Sequence, residues 1–194
     1  ILTLYFIDNT EFELIKNKYN DSKICVGIVM IDNYEEIFQR ISDEDKPQLI
    51  AKIEKSIYEW GNLFEALVIK SERDTYVICL EQKNLEELKE SKFKILDSIK
   101  EIENSDKAPI TLSIAIANEG DSNYEKYKLA QASIDIALGR GGDQAVIREN
   151  GKYVFFGGRA QELEKRTKVK ARMISHALEE LILESKDVMI MGHV

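Results

Sequence analysis

Continuous apolar runs and helical stripes of apolar residues alternate along most of the chain. The apolar runs, bounded by polar turns, predict strands at residues 1–7, 24–31, 63–70, 75–80, 111–117, 144–148, 153–156 and 187–191. Apolar residues at intervals of three and four predict helices over 11–19, 34–41, 47–61, 85–102, 124–138 and 160–185. This succession indicates an α/β (α+β) fold in which helices cover a mixed sheet.

Short polar residues and glycines mark the ends of several predicted elements. Asn9 or Thr10 can cap helix 11–19, since a short side-chain oxygen accepts a hydrogen bond from the free amides of the first turn. Gly61 is expected to end helix 47–61. The charged segment 71–74 separates two strands as a hairpin tip, and Asn150 with Gly151 forms a two-residue turn. We expect the chain to be an interior piece of a longer protein.

Composition and charge narrow the function classes. The 194 residues include 27 basic and 35 acidic side chains, a net charge of −8, which argues against a nucleic-acid polymer as partner. No apolar run approaches the roughly 20 residues that a membrane-spanning helix needs, so this piece is expected to be soluble. Cys25 and Cys79 lie in apolar runs without metal-binding spacing, which predicts two buried, reduced thiols.

The element order from about residue 23 to 156 resembles the GGDEF domain of diguanylate cyclases, a relative of the polymerase palm. That family's first motif begins D-x-D-x-F, and here Asp32 and the aromatic Tyr34 match it. Met30 occupies the position of the metal-binding first aspartate and offers no oxygen ligand. Phe38 and Pro47 occupy the guanine-reading positions, where neither side chain can bond a base edge. The resemblance therefore implies a degenerate domain without cyclase activity.

The signature turn of the family is also altered. Glu72 and Arg73 stand where two glycines would let the backbone approach a substrate, while Asp74 and Tyr76 match the family pattern. A second glycine pair, in the segment 141–143, lies between the last domain helix and the strand after it, and is interpreted as a chain reversal. Asp32 and Asp74 could hold Mg²⁺ weakly with phosphate oxygens, and Arg73 could contact a phosphate; the alternative is solvated loop residues.

The flanks make the resemblance more specific. Residues 137–145, the strand 153–158 and the basic helix after it are similar to the membrane-anchored bacterial cyclic-di-AMP phosphodiesterases. That family combines two transmembrane helices, a PAS domain, a degenerate GGDEF domain and a DHH/DHHA1 module. The resemblance implies that 1–22 end a PAS domain and its linker helix, that 23–158 form the degenerate GGDEF domain, and that 159–194 connect to the first DHH strand. His193 would be the first ligand of an incomplete Mn²⁺ site.

Two functions follow from this resemblance. The first is a non-catalytic regulatory module, partnered by its own PAS and DHH/DHHA1 domains, on the cytoplasmic side of a membrane-anchored parent that hydrolyses cyclic-di-AMP. The second is a weak ATP-binding or ATP-hydrolysing domain that uses Asp32, Asp74 and Arg73 with Mg²⁺. The apolar stripe of helix 160–185 predicts packing on another domain or a homodimer. Its basic residues, between 159 and 172, suit a charged connector or an anion-binding surface.

Overall fold

The computed structural model describes residues 8–104 and 109–157. The helices are α1 (Thr10–Asp21), α2 (Tyr34–Arg40), α3 (Lys46–Leu63), α4 (Gln82–Glu90), α5 (Ile95–Ser98) and α6 (Asn123–Gly139). The strands are β1 (Ile24–Ile31), β2 (Leu67–Lys70), β3 (Thr75–Glu81), β4 (Leu112–Ala117), β5 (Gln144–Glu149) and β6 (Lys152–Gly157). The strands expected at 1–7 and 187–191, the helix 160–185 and His193 lie outside the described residues.

The six strands form one mixed sheet in the order β2-β3-β1-β4-β5-β6. Strands β4 and β5 are parallel, joined by a crossover through α6, and the other neighbouring pairs are antiparallel. β1 lies near the centre of the sheet, between β3 and β4. Both of its faces are covered there, which explains why its sequence is a nearly unbroken apolar run. The expected fold class, a mixed sheet covered by helices, is confirmed.

Each face of the sheet has its own layer of helices. Alternate strand residues such as Val29, Ile78 and Ile114 point into the larger core cluster, which also contains residues of α2, α3, α4 and α5. The opposite face packs Ile28 and Ala115 against α6 in a smaller cluster. Small side chains dominate that second contact, so α6 approaches the central strands closely.

The prediction of one helix over 85–102 is wrong in one respect, because the structure has two separate helices there, α4 and α5. α4 ends at Glu90, and Lys92 and Phe93 then adopt positive φ angles of 53° and 54°. Phe93 is fully buried and its ring centroid lies 5.1 Å from that of Phe156. The burial of this aromatic ring accounts for a backbone conformation that local propensity disfavours. α5 and a 3-10 turn, Ile99–Glu101, follow.

Gly61 does not end α3 as expected. The helix continues to Leu63, and β2 begins only at Leu67, four residues later than predicted. Gly61 is buried inside the helix, where an added Cβ would collide with the side chain of Val68 on β2. The glycine therefore allows close packing between α3 and β2 rather than a helix stop.

The start of α1 also differs from expectation. Asn9 is the N-cap residue, but its side chain makes no capping bond, and the carboxylate of Asp8 accepts the hydrogen bond of the Thr10 amide at 2.9 Å.

In the part of the chain that the structure describes, no helix is both long and apolar enough to cross a membrane.

Candidate functional site at the carboxyl end of β1

The carboxylate of Asp32 lies at the end of β1 and is directed into the protein. Its Oδ1 accepts a hydrogen bond from the Ser113 hydroxyl at 2.7 Å, and its Oδ2 accepts one from the Thr111 hydroxyl at 2.8 Å. The backbone amide of Asp143 donates a third bond to Oδ2 at 2.9 Å. Asp32 is only 6% exposed, so its charge is stabilised by three donors of its own chain rather than by water.

The turn between α6 and β5 closes over this carboxylate. Gly141, Gly142 and Asp143 have φ angles of 105°, 69° and 55°, and a Cβ added at Gly142 would lie 2.7 Å from Oδ2 of Asp32. The side chain of Asp143 points elsewhere, to the ammonium of Lys100 at 2.8 Å. The glycine pair therefore does reverse the chain, as expected, and it also gives the backbone room to bind Asp32.

The resemblance places Met30, Phe38 and Pro47 at metal-binding and guanine-reading positions, but these residues belong to the apolar interior or to the start of a helix. Met30 is half-buried and packs against the cluster beneath α6 that contains Ile28. Phe38 is buried in the larger core, with its ring centroid 4.3 Å from that of Tyr34. Pro47 is exposed in the first turn of α3. These positions contribute packing and helix geometry, and none of the three side chains carries an oxygen or nitrogen atom that could bind a metal ion or a base.

The hairpin between β2 and β3 carries the second predicted acid, Asp74. Its backbone carbonyl accepts the amide of Ile31 at 2.8 Å, and its Oδ1 accepts the Thr75 hydroxyl at 2.9 Å. Glu72 and Arg73 are exposed at the tip, where the amide of Glu72 donates to the Thr75 carbonyl at 3.1 Å. The tip is therefore closed by backbone bonds, while its charged side chains face solvent.

Asp32 and Asp74 both lie near the end of β1, but their neighbours belong to different strands, on opposite sides of β1 in the sheet. Asp32 bonds to residues before and within β4, whereas Asp74 precedes β3, and β1 separates these two strands. A shared cation would need oxygens that both residues keep available, yet both oxygens of Asp32 already accept hydrogen bonds. Three of the roughly four acceptor positions of the Asp32 carboxylate are thus used within the protein, and a cation shared by Asp32 and Asp74 stays a prediction. Across residues 8–104 and 109–157, three or more His, Cys, Asp or Glu side chains nowhere come together as a metal-binding group.

A second charged cluster lies at the opposite end of the central strands. Lys89 Nζ is 2.8 Å from Glu149 Oε2 and 2.9 Å from Glu86 Oε1, and Asn118 donates to Glu149 at 2.9 Å. Burial alone would raise the pKa of Glu149, but the bonds from Lys89 and Asn118 hold that pKa below its ordinary value. Each of these groups has a partner in the cluster, which is typical of a structural ion pair.

The two thiols lie on opposite faces of the sheet. Cys25 is buried in the larger core, and burial raises its pKa to about 12. Cys79 is half-buried rather than fully buried as expected, and desolvation raises its pKa as well. Both thiols are free. Neither has the low pKa of a reactive cysteine.

Sequence reasoning found Asp32 but missed what binds it. Thr111, Ser113 and the amide of Asp143 are distant from Asp32 in the chain, so no local motif connects them. One signal was present, because Ser113 is a polar residue inside the otherwise apolar run of β4. A buried hydroxyl in such a strand requires a partner, and Asp32 provides it.

Comparison with known proteins identifies the family to which the described domain belongs. Residues 29–155 match the family model described as "Cyclic-di-AMP phosphodiesterase GdpP-like, GGDEF domain". The chain belongs to this family. It is 42% identical over 191 residues to the cyclic-di-AMP phosphodiesterase GdpP of Geobacillus thermodenitrificans, and 38% identical to PdeA of Listeria monocytogenes. Each match covers 98% of this chain and 29% of the relative. The chain thus spans under a third of these proteins.

Solved structures support the fold of this GdpP-like GGDEF domain. The active GGEEF domain of a Vibrio cholerae diguanylate cyclase has a TM-score of 0.57 and 14% identity, covering 71% of this chain and 90% of that one. The GGDEF domain of DgcB from Caulobacter crescentus, in complex with c-di-GMP, has a TM-score of 0.56 and 12% identity, covering 72% and 84%. At these identities the likeness concerns the fold alone.

Proposed function

We propose that this chain is a cyclase-inactive, regulatory GGDEF-like module of a longer cyclic-di-AMP phosphodiesterase. The observation that carries the proposal is the state of Asp32, whose carboxylate is buried and bound by Thr111, Ser113 and the Asp143 amide. An acid used in this way stabilises the fold and is withdrawn from nucleotide chemistry. A domain that keeps its fold while Asp32 is bound within the protein can still contact neighbouring domains, which is the role that we propose.

The chain lacks groups that two steps of a cyclase reaction require. A cyclase must bind a divalent cation that polarises the triphosphate, and hard cations require oxygen ligands. Met30 provides none, and Asp32 uses both of its oxygens within the protein. Guanine selection needs polar side chains, whereas Phe38 lies in the core. Cyclisation of GTP therefore lacks both its metal ligand and its base recognition.

The wider context of the proposal rests on the relatives. Proteins named cyclic-di-AMP phosphodiesterases contain this region as 29% of their length, so most of each relative lies outside it. We place the hydrolytic activity there, in a DHH/DHHA1 module that uses Mn²⁺, with a PAS domain and a membrane anchor before this region. Residues 1–22 and 159–194 would join the domain to these neighbours, and His193 would be the first metal ligand of the hydrolytic site.

Weak ATP binding or hydrolysis is the alternative function. It is favoured by one observation, namely that the exposed Arg73 and the half-exposed Asp74 adjoin each other at the hairpin tip. An arginine there could contact a phosphate, and the carboxylate could hold Mg²⁺ with phosphate oxygens. Asp32 contributes little to such a site because its oxygens are occupied, so we rank this function second.

The first test measures nucleotide chemistry on the chain itself. Incubation with GTP or ATP and either Mg²⁺ or Mn²⁺ should yield no cyclic-di-GMP and no preference for GTP in calorimetric binding. A GTP affinity about ten-fold above that for ATP, worth about 1.4 kcal/mol, would contradict the proposal. ATP binding that is lost in Arg73→Ala would instead support the alternative function.

The second test addresses regulation in the longer protein. Deleting residues 23–156 should change the rate of cyclic-di-AMP hydrolysis without abolishing it, because the domain modulates the catalytic module but does not form it. An unchanged rate would argue against a regulatory role.

In the same protein, His193→Ala should abolish Mn²⁺-dependent hydrolysis while the fold is retained, and near-normal turnover would show that His193 is not a ligand.

A further inference from the structure

Strand β2 forms one edge of the sheet and carries exposed apolar side chains. In the described part of the chain, β3 is its one strand neighbour. Leu67 and Ile69 are 59% and 52% exposed. Ile69 pairs with Val77, and Val77 pairs with Ile28, so these side chains lie on the sheet face that packs against α6. Exposed apolar residues on an edge strand usually mark an interaction site.

The backbone of β2 has hydrogen-bonding groups along its outer edge. The Ser71 amide donates to the Thr75 carbonyl, on the side of β3, at 3.0 Å. Successive residues of a strand direct their backbone groups to opposite sides, so Ile69 and Leu67 bond towards β3 in the same way as Ser71. The amides and carbonyls of Val68 and Lys70 therefore point away from β3. Two donors and two acceptors are directed towards a further strand.

The sequence of β2 lacks the features that usually protect an edge. Natural proteins place proline, a bulge or an inward-pointing charge on such strands. β2 reads Leu-Val-Ile-Lys, and its pairing with β3 is regular along its whole length. Its one charge, Lys70, is bound by Glu54 at 2.6 Å and lies beside the ring of Tyr76, on the face opposite to Ile69. The edge is thus open to pairing.

One register pairs β2 with β2 of a second copy and uses all four of these backbone groups. In an antiparallel pair with Ile69 opposite Ile69, Val68 of each copy lies opposite Lys70 of the other, which allows four hydrogen bonds about a two-fold axis. The neighbouring symmetric register would place Lys70 opposite Ala66. The Ala66 amide already donates to the Gly61 carbonyl at 2.9 Å, so that register loses bonds.

The same register covers the exposed apolar side chains. The two Ile69 residues form a pair without direct backbone bonds, in which side chains approach most closely, with Cα atoms about 4.5 Å apart. Leu67 lies opposite Ser71 of the other copy and diagonally beside its Ile69. The two copies thus align their apolar residues in one row on the same face of the sheet. This self-complementarity favours a second copy over an unrelated strand.

Charges at the two ends of β2 are also complementary. Glu65 precedes the strand, and its side chain is 74% exposed beside Lys83. Arg73 is exposed at the hairpin tip. Antiparallel pairing brings the tip of each copy to the start of β2 in the other, so Arg73 lies near Glu65 of the second copy, and symmetry repeats this pair. Exposed pairs of this kind determine register more than affinity.

We infer that two copies of this chain associate through β2, in an antiparallel pair centred on Ile69 that joins their six-stranded sheets. The association goes beyond the proposed regulatory role and rests on no nucleotide or hydrolytic property. It places the hairpin tip of each copy, with Arg73 and Asp74, against the start of β2 in the other.

Sedimentation equilibrium measures the association, with lysine substitutions on the two edges of the sheet. Ile69→Lys and Leu67→Lys place charges in the apolar row and should weaken self-association at least about ten-fold. Val154→Lys is the control, since Val154 is an exposed residue of the opposite edge strand, β6, and should leave association within about two-fold. All three should unfold close to the urea midpoint of the unaltered chain, because the replaced side chains are exposed.

Cross-linking tests the register, in a chain that carries Cys79→Ser to remove the half-buried thiol on the same face. Oxidised Ile69→Cys should form a disulfide between copies, because the two Cβ atoms lie opposite each other. A mixture of Leu67→Cys and Ser71→Cys chains should form a mixed disulfide, whereas Leu67→Cys alone should form none. A disulfide of Leu67→Cys with itself would indicate a parallel pair or another register and overturn the inference.

The charges at the strand ends provide a third measurement. Arg73→Glu should weaken association about three-fold at low salt, and Glu65→Arg added to it should restore association, because the pair is re-formed with opposite polarity. Failure to restore it would contradict the register. A monomeric unaltered chain would overturn the inference, as would a dimer that is insensitive to Ile69→Lys and forms no disulfide through Ile69→Cys, which would place the contact elsewhere.

Discussion

The end of β1 and the neighbouring hairpin tip each carry an aspartate, and the two residues have opposite surroundings. Asp32 is buried, and its oxygens accept three hydrogen bonds from Thr111, Ser113 and the Asp143 amide. Asp74 is half-exposed, and its carboxylate accepts one bond from the adjacent Thr75. The same side chain thus serves the fold at one position and remains accessible to solvent at the other.

The two aspartates show that a carboxylate can be required by the fold independently of any use in a functional site. An exposed carboxylate contributes little to stability, because water solvates it equally well before and after folding. A buried carboxylate must be satisfied by the protein, and removing it leaves its donors unpaired. Once Thr111, Ser113 and the turn before β5 are built around Asp32, the residue is retained for stability whether or not it has a catalytic use.

The largest expected effect is that of Asp32→Ala. It leaves the Ser113 hydroxyl and the Asp143 amide without their acceptor in a buried region, and we expect a loss of about 2–4 kcal/mol in the free energy of unfolding. Urea denaturation followed by circular dichroism measures this loss. The matched control is Asp74→Ala, which removes one partly exposed bond and should cost less than about 1 kcal/mol. Equal losses for the two variants would contradict the comparison.

Gly142→Ala tests the same region from the backbone side. The new Cβ would lie 2.7 Å from Oδ2 of Asp32, and the φ of 69° disfavours any side chain, so we expect a loss of about 1–3 kcal/mol. Gly139→Ala is the control, because nothing lies within 4 Å of its added Cβ. It should be neutral or stabilise α6 by less than about 1 kcal/mol, since alanine favours helices. Equal tolerance at both glycines would show that the turn does not close tightly over Asp32.

More of the fold than of the candidate site could be predicted from the amino-acid sequence. Continuous apolar runs such as Ile24–Ile31 predicted the strands well, because their burial on both faces is written into consecutive residues. The break at Phe93 could not be predicted, because it depends on contact with the distant Phe156. The packing of Gly61 against Val68 could not be predicted either, because it depends on how the chain turns back from α3 into β2. Asp32 was found from its place in a motif, but its role depends on Ser113, 81 positions later, which no local pattern connects to it.

A smaller effect is expected at the opposite end of the sheet, where Glu149 pairs with Lys89. The folded pKa of Glu149 lies below its ordinary value of 4.5, so the pair contributes stability above that pH and loses it as the pH falls through the folded pKa. Glu149→Gln should cost about 1 kcal/mol at neutral pH, with the difference from the unaltered chain shrinking below about pH 4.5. Urea titrations between neutral and acid pH measure this.

Glu86→Gln is the control for that prediction, because Glu86 contacts the same ammonium from a more exposed position, with 57% of its side chain accessible. We expect it to cost less than about 0.5 kcal/mol at neutral pH. A loss from Glu149→Gln that stays constant down to strongly acid pH would show that the carboxylate contributes through packing rather than charge.

The smallest expected effect is that of Arg73→Ala at the hairpin tip. The tip is closed by the Ser71 and Glu72 amides, which both donate to the Thr75 carbonyl, so the turn does not depend on the arginine side chain. We therefore expect the free energy of unfolding to change by less than about 0.5 kcal/mol. Calorimetry with ATP and Mg²⁺ on the same variant separates stability from ligand contact. A loss above about 1 kcal/mol would show that the tip, like Asp32, is held by contacts within the fold, and the contrast between the two acidic regions would fail.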